Sequence, residues 1–276
     1  MTASVALFGD TIWAVAGAVP TDRPTSWITP GLSGYLPVPC YVLRSEGQAL
    51  LIDSGLAAHW PRIRAGLDEL LALHPDRALI MTRREPDAIS NLPAIVARYG
   101  LGMVYCGGVI SPLDFFERVD QASTVSSLQA IADSDVRWVL PGEVITVGKL
   151  RLEVRRTTLR VLPKNHFYER GSRTLFASDT WAMLPQPGPE RLESLRVADA
   201  SLSVDRIAAH LRHRFEWLVG ADPAPMQEEV ADLASLGIER ICSSYGMVIE
   251  GAGLVASVLE RTMAALEILS SERCER

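Results

Sequence analysis

Strand-like and helix-like segments alternate through the first third of this 276-residue chain, give way to a β-rich middle, and return at the end. Residues 11–19 and 40–44 carry the apolar and β-branched runs of strands, and residues 48–52 follow a turn at Glu46-Gly47. Residues 60–73 place Ile63, Leu67, Leu70 and Leu71 at helical spacing, with arginine and aspartate on the other face. A short buried strand at 78–81, a helix over 89–99 closed by Gly100, and a strand at 103–106 complete this part. The middle offers strands at 136–140, 144–147, 150–158 and 174–178, separated by glycine or proline turns. Helices at 203–219, 226–236 and about 254–269 follow, with a strand at 241–243 among them. Pro185 and Pro189 bound a loop inside one continuing pattern, so residues 1–276 read as a single domain. Such an order predicts an α/β protein in which two sheets are sandwiched between helices.

Composition narrows the partners. A formal net charge of −6 disfavours long-range attraction to nucleic acid or anionic membrane. Met1 to Val19 lacks a cationic start and is interrupted by Asp10, so it reads as strands rather than a signal peptide, and a cytoplasmic protein is expected. Cys40, Cys106, Cys242 and Cys274 show no metal-knuckle spacing and read as buried, reduced thiols. His59, His74, His210 and His213 lie in or beside helices, and His210 and His213 read as a solvated face rather than a metal pair. The glycines show no phosphate-loop spacing, and Ser243 and Ser244 lack a nucleophile elbow.

One stretch carries more. Met81-Thr82-Arg83-Arg84-Glu85-Pro86-Asp87-Ala88-Ile89-Ser90-Asn91-Leu92-Pro93 resembles the metal-binding signature of metallo-β-lactamase-fold proteins, in the flavodiiron form His-x-Glu-x-Asp-His followed by Leu-Pro. Glu85 and Asp87 keep their places, while Arg83 and Ala88 stand at the two histidine positions. Tyr41-Val42-Leu43 and Ala49-Leu50-Leu51-Ile52-Asp53-Ser54-Gly55 resemble the family's opening strands. Leu175-Phe176-Ala177-Ser178-Asp179-Thr180-Trp181 resembles the segment holding its bridging aspartate, at Asp179. Cys242-Ser243-Ser244-Tyr245-Gly246 matches the segment of its last histidine, with Tyr245 in that place. The resemblance covers nearly the whole chain and implies a four-layer αββα metallo-β-lactamase-like sandwich, without a flavodoxin domain.

In that family two irons are held by histidines and carboxylates. Here a guanidinium, which has no lone pair to give, replaces one histidine, and an alanine replaces another. Alignment on Pro163 and Asp179 puts the middle-section histidine position at Arg160 or Val161, with His166 displaced by several residues. The carboxylates Glu85, Asp87 and Asp179 could hold at most a single divalent ion such as Mg²⁺ or Mn²⁺, and no cofactor is expected. Converging carboxylates without metal need a new cation, and Arg83 is expected to pair with Glu85 or Asp179. Asp87 could instead be an ordinary helix cap.

The expected function is therefore that of a metal-free pseudoenzyme with a binding, sensing or assembly role, not a diiron oxygen or nitric oxide reductase or hydrolase. The alternative is an oxidoreductase or hydrolase with rewired acid–base or unorthodox metal chemistry in the same cleft, drawing on Glu85, Asp87, Asp179 and Tyr245 or His166. A small anion could bind in the cleft beside Arg83, Arg84 and Tyr245. The apolar stripe of the last helix could serve the core or, as in the dimeric relatives, a homodimer interface.

Overall fold

The computed structural model describes residues 4–22, 26–106, 134–190 and 192–272. Cys274 lies outside the described residues; Cys40, Cys106 and Cys242 are buried and free.

Among the described residues, two seven-stranded sheets form the centre. The first runs in chain order from β1 (Ser4–Phe8) through β2 (Ile12–Pro20), β3 (Tyr35–Ser45), β4 (Gln48–Ile52), β5 (Asp76–Met81) and β6 (Met103–Cys106) to β7 (Asp135–Trp138). It is antiparallel from β1 to β4 and parallel from β4 to β7. The second contains β8 (Val144–Val147), β9 (Leu150–Arg156), β10 (Asn165–Glu169), β11 (Thr174–Phe176), β12 (Ser194–Leu195), β13 (Arg240–Cys242) and β14 (Val248–Glu250). Its order is β12-β14-β13-β11-β10-β9-β8, with β11 and β13 parallel.

The layering follows from the two-residue period of a strand, which sends alternate side chains to opposite faces. In β3, Tyr41 and Leu43 face the second sheet while Cys40 and Val42 face helices; in β4, Leu50 and Ile52 oppose Ala49 and Leu51 in the same way. The second sheet mirrors this, with Phe176, Cys242 and Val248 turned inward and Leu175, Ile241 and Ile249 outward. Strands buried on both faces read as continuous apolar runs, as these do. Helices α1 (Trp60–Leu70), α2 (Pro86–Ile89) and α3 (Leu92–Tyr99) cover the first sheet. Helices α4 (Val204–Arg214), α5 (Ala224–Ser235) and α6 (Ala252–Ser271) cover the second. The expected αββα sandwich is the observed architecture.

Strands β10, β12 and β14 were not expected, and β1 only as part of residues 1–19. Among the boundaries that differ from expectation, two have a clear physical cause. The helix expected over 89–99 is two pieces, α2 and α3, because Pro93 belongs in the first turn of a helix and Asn91 is drawn out of line. The Asn91 amide donates to the backbone oxygens of Ser54, Gly55 and Leu56, which locks the break against the end of β4. The helix expected over 203–219 stops at Arg214, where buried Phe215 leaves helical geometry and a short 3₁₀ turn follows. In α6, Leu254, Val255, Val258, Leu259, Leu266 and Leu269 are buried in the core of this layer.

Candidate functional site: a charge cluster at the strand ends

The carboxyl ends of β4, β5, β11 and β13 converge between the sheets, as expected for the ligand side of parallel strand pairs. Asp53, just after β4, is a non-glycine residue with φ 57°, and Ser178, just after β11, has φ 53°. Such left-handed conformations cost free energy and persist where the surroundings fix them. Here they are fixed by hydrogen bonds. Asp53 Oδ1 accepts from the Thr82 backbone N–H at 2.8 Å, and Oδ2 accepts from the Thr82 and Ser244 hydroxyls at 2.9 and 2.6 Å. Ser178 Oγ lies in hydrogen-bond reach of Thr82 Oγ1 at 3.0 Å and donates to it, since the threonine proton is given to Asp53, and Ser178 carbonyl accepts from Ser244 N–H at 2.7 Å. Four loops are thereby tied to one another.

Above this floor lie three cations and three carboxylates. The Arg83 guanidinium, 2% exposed, donates from Nε to Glu85 at 2.8 Å, from Nη1 to Ser178 Oγ at 3.1 Å, and from Nη2 to Asp87. Asp179 Oδ2 lies 3.8 Å from Arg83 Nε and accepts from Arg214 Nε at 2.6 Å, while Oδ1 accepts from Lys164 Nζ at 2.5 Å. Arg214, the last residue of α4, also reaches Glu85. Arg83 thus pairs with Glu85, as one of the two expected partners, lies near the other, and adds Asp87. The Arg83 guanidinium stacks 5.8 Å from the Tyr245 ring centroid. The Tyr245 hydroxyl is buried without a hydrogen-bond partner, and burial pushes its pKa well above the usual phenol range.

Burial and charge pull the carboxylates apart. Burial alone would raise Asp179, but Lys164, Arg83 and Arg214 outweigh it and hold its carboxyl far below the usual range. Glu85 is half-open; burial raises it, but the hydrogen bond from Arg214 and the charge of Arg83 bring it below its ordinary value. Asp87 goes the other way: burial dominates the Arg83 charge and pushes its carboxyl up to about 6. Asp53 is likewise raised by burial, against Arg83 and its three hydrogen bonds.

No protein-family model and no curated protein matches the sequence. Solved structures do. Rubredoxin oxygen:oxidoreductase of Desulfovibrio gigas aligns at TM-score 0.66 with 16% identity, covering 96% of this chain and 61% of that one. A variant of the flavo di-iron protein of Thermotoga maritima aligns at TM-score 0.68 with 18% identity, covering 95% of this chain and 61% of that one. A fragment of a putative diflavin flavoprotein from Nostoc aligns at TM-score 0.64 with 15% identity, covering 95% of each chain. The fold is that of the flavodiiron diiron core. This chain spans about three fifths of the length of the first two structures.

Placed on that flavodiiron fold, the residues singled out in the sequence meet in part. Arg83, Glu85, Asp87 and Asp179 join one cluster, and Tyr245 stacks on it. Ala88 does not: its methyl group is packed in the apolar core behind α2. The N-cap of α2 is Glu85, without a side-chain cap bond, and Asp87 lies in its first turn and pairs with Arg83. Arg160 and Val161 are exposed, and the Arg160 carbonyl accepts from the Trp217 indole. The residue of that segment that enters the cluster is Lys164, next to Pro163 at the start of β10. His210 is buried rather than solvated: Nδ1 pairs with Thr29 Oγ1 at 3.1 Å, and Nε2 lies 3.3 Å from the Asp179 carbonyl. Its position on the apolar side of α4, one turn from Ile207 and next to Leu211, is the signal that marks it as inward. Arg214 was missed because a basic residue in a last helical turn ordinarily answers the helix dipole.

Among the described residues, no group of three or more His, Cys, Asp or Glu is placed to hold a metal ion. Nor is any helix among them long and apolar enough to cross a membrane.

Proposed function

We propose that this chain is a non-catalytic member of the flavodiiron-like structural group, in which an internal ion-pair cluster stands where other proteins of this fold hold two irons. The observation that carries this reading is the allocation of carboxylate oxygens. A diiron centre held by this chain would need the carboxylates of Glu85, Asp87 and Asp179 and neighbouring imidazoles free to act as ligands. Both oxygens of Asp179 are given to cations here, one to Lys164 and one to Arg214. Glu85 and Asp87 are given to Arg83 and Arg214. The neighbouring imidazoles are committed elsewhere, His166 Nε2 to Thr180 Oγ1 at 2.9 Å and His210 to Thr29 and the Asp179 backbone. These residues do not fit a histidine–carboxylate diiron centre, and no step through one is drawn. What a fold of this kind then serves is binding, sensing or assembly.

The anion site expected beside Arg83 has less support, since the three guanidinium nitrogens of Arg83 are spent on Glu85, Asp87 and Ser178. A second reading, acid–base chemistry in the same place, draws on Asp87, whose raised carboxyl would titrate near neutrality, and on the unpartnered Tyr245 hydroxyl.

Metal analysis tests the first reading. Protein purified from iron- and zinc-supplemented growth should carry far less than one equivalent of either metal, and EDTA should leave its unfolding midpoint unchanged. Stoichiometric iron or zinc, lost together with stability on chelation, would overturn it.

A further inference from the structure

Residues 26–34, in the connection between β2 and β3, form a strap beside the buried Tyr245 ring. Ser26, Pro30, Gly31 and Ser33 are exposed on its outer side, while Ile28, Thr29 and Leu32 are buried on its inner side. Ile28 and Leu32 share an apolar cluster with Tyr245, and the Trp27 ring centroid lies 4.8 Å from that of Tyr245. Tyr245 therefore meets the strap through Trp27 and the charge cluster through Arg83.

The base of the strap is fixed by backbone. Thr21 N–H donates to the Gly34 carbonyl at 3.0 Å, and the Thr21 hydroxyl reaches the Leu32 and Gly34 carbonyls at 3.0 and 3.1 Å. Tyr35 and Gln186 exchange both backbone bonds, at 2.9 and 2.7 Å. Gly34 lies so close to this bridge that a Cβ would stand 2.5 Å from the Gln186 carbonyl oxygen. Beyond the base the attachment changes. Among the described residues, no backbone–backbone hydrogen bond holds residues 26–33.

The inner side is fastened instead by a side-chain pair, Thr29 with His210. The Asp179 carbonyl can only accept, so His210 Nε2 carries the ring proton and Nδ1 accepts from the Thr29 hydroxyl. One imidazole thus joins the strap to the backbone of Asp179. The carboxylate of that same residue lies among Arg83, Lys164 and Arg214. A segment held by side chains without a backbone ladder opens locally, at less cost than unfolding the whole chain.

We propose that the strap is a cover that opens about its base at Gly34, and that the charge cluster controls its opening through His210. An intact Asp179 network holds the Asp179 carbonyl under the imidazole and the strap down; a loosened one releases it. This inference rests on the sensing role proposed above, and it turns a change in buried charges into a change of exposed surface.

Labelling of Ile28→Cys with N-ethylmaleimide, read by peptide mass spectrometry, tests the proposal, with the fully buried Cys40 of β3 as a clock in the same molecule. Leu32→Cys, on the same inner side, serves if Ile28→Cys does not fold. The introduced thiol should react about tenfold or more faster than Cys40. Thr29→Val keeps the size but removes the hydroxyl, and should speed strap labelling relative to Cys40 by about fivefold, the worth of one neutral hydrogen bond. Asp179→Asn should also speed it, and should add nothing once Thr29→Val is present. Labelling no faster than Cys40, no effect of Thr29→Val, or an Asp179→Asn effect undiminished by Thr29→Val would overturn the proposal. Metal analysis of the same samples separates the two readings: slow labelling in metal-free protein overturns the strap alone, and stoichiometric metal in protein that labels as expected overturns the metal-free reading alone.

Discussion

At Arg83 the chain sets a large desolvation cost against three carboxylates, and the outcome depends on every partner being in place. Asp87 shows this most sharply, because it pairs with Arg83 and its carboxyl is buried. Replacing Arg83 by Met should leave that carboxylate unpaired and cost about 3–5 kcal/mol. Replacing both, Arg83→Met with Asp87→Leu, should recover most of the loss, since a buried pair exchanged for apolar groups is often close to neutral. Urea unfolding of wild type, single and double variants measures this; a double variant as unstable as the single one would show that Asp87 does not depend on Arg83. The Arg83 contribution was legible in the sequence because a guanidinium at a ligand position amid carboxylates has few other places to go. Lys164 and Arg214 were not legible, because nothing local distinguishes a lysine before a strand or an arginine ending a helix from a solvated one. Their role exists only once β10, α4 and the Asp179 loop are brought together.

Elements were read more reliably than sites, since periodicity is a property of a segment and burial of a cluster is a property of several. The strand runs at 40–44 and 48–52 and the stripe of α1 each recur in the structure. What periodicity could not give was where a helix breaks, because the Asn91 bonds that split α2 from α3 reach back to residues 54–56. Helix α1 also carries a constraint invisible to pattern. Gly66 packs so closely on β2 that an added methyl carbon would sit 2.7 Å from both Val15 γ-carbons. Alanine favours a helix over glycine by about 1 kcal/mol, but overpacking of a tight core costs about 1–3 kcal/mol. Gly66→Ala should therefore destabilise by about 1 kcal/mol in chemical denaturation, and a stabilised variant would show that α1 can slide away from the sheet.

For the whole molecule, the cluster links pH to stability in two opposing senses. Asp179 and Glu85 have folded values below their ordinary 3.8 and 4.5, so their contribution is fully present above that range and lost as pH falls through it. Asp87, raised from 3.8 to about 6, contributes fully below 3.8 and loses that contribution as pH rises through 6. The buried neutral imidazoles of His166 and His210, held by burial below the ordinary 6.5, lose their contribution as pH falls below that value and outweigh Asp87. Stability should therefore fall from pH 7 to 5 and drop steeply below about pH 4. Thermal melts across that range, compared with Asp179→Asn, measure it; an acid limb of the same depth in Asp179→Asn would place the acid sensitivity elsewhere.

The contacts of Asp179 span separate parts of the fold: Arg83 follows a strand of the first sheet, Lys164 precedes one of the second, and Arg214 ends an outer helix. A fastener of that reach made from side chains has no occupancy. On the metal-free reading proposed above, it is complete as soon as the chain has folded, needs no supply of a scarce element, and cannot be stripped by a chelator or changed by oxygen. Acid can release it by protonating its carboxylates.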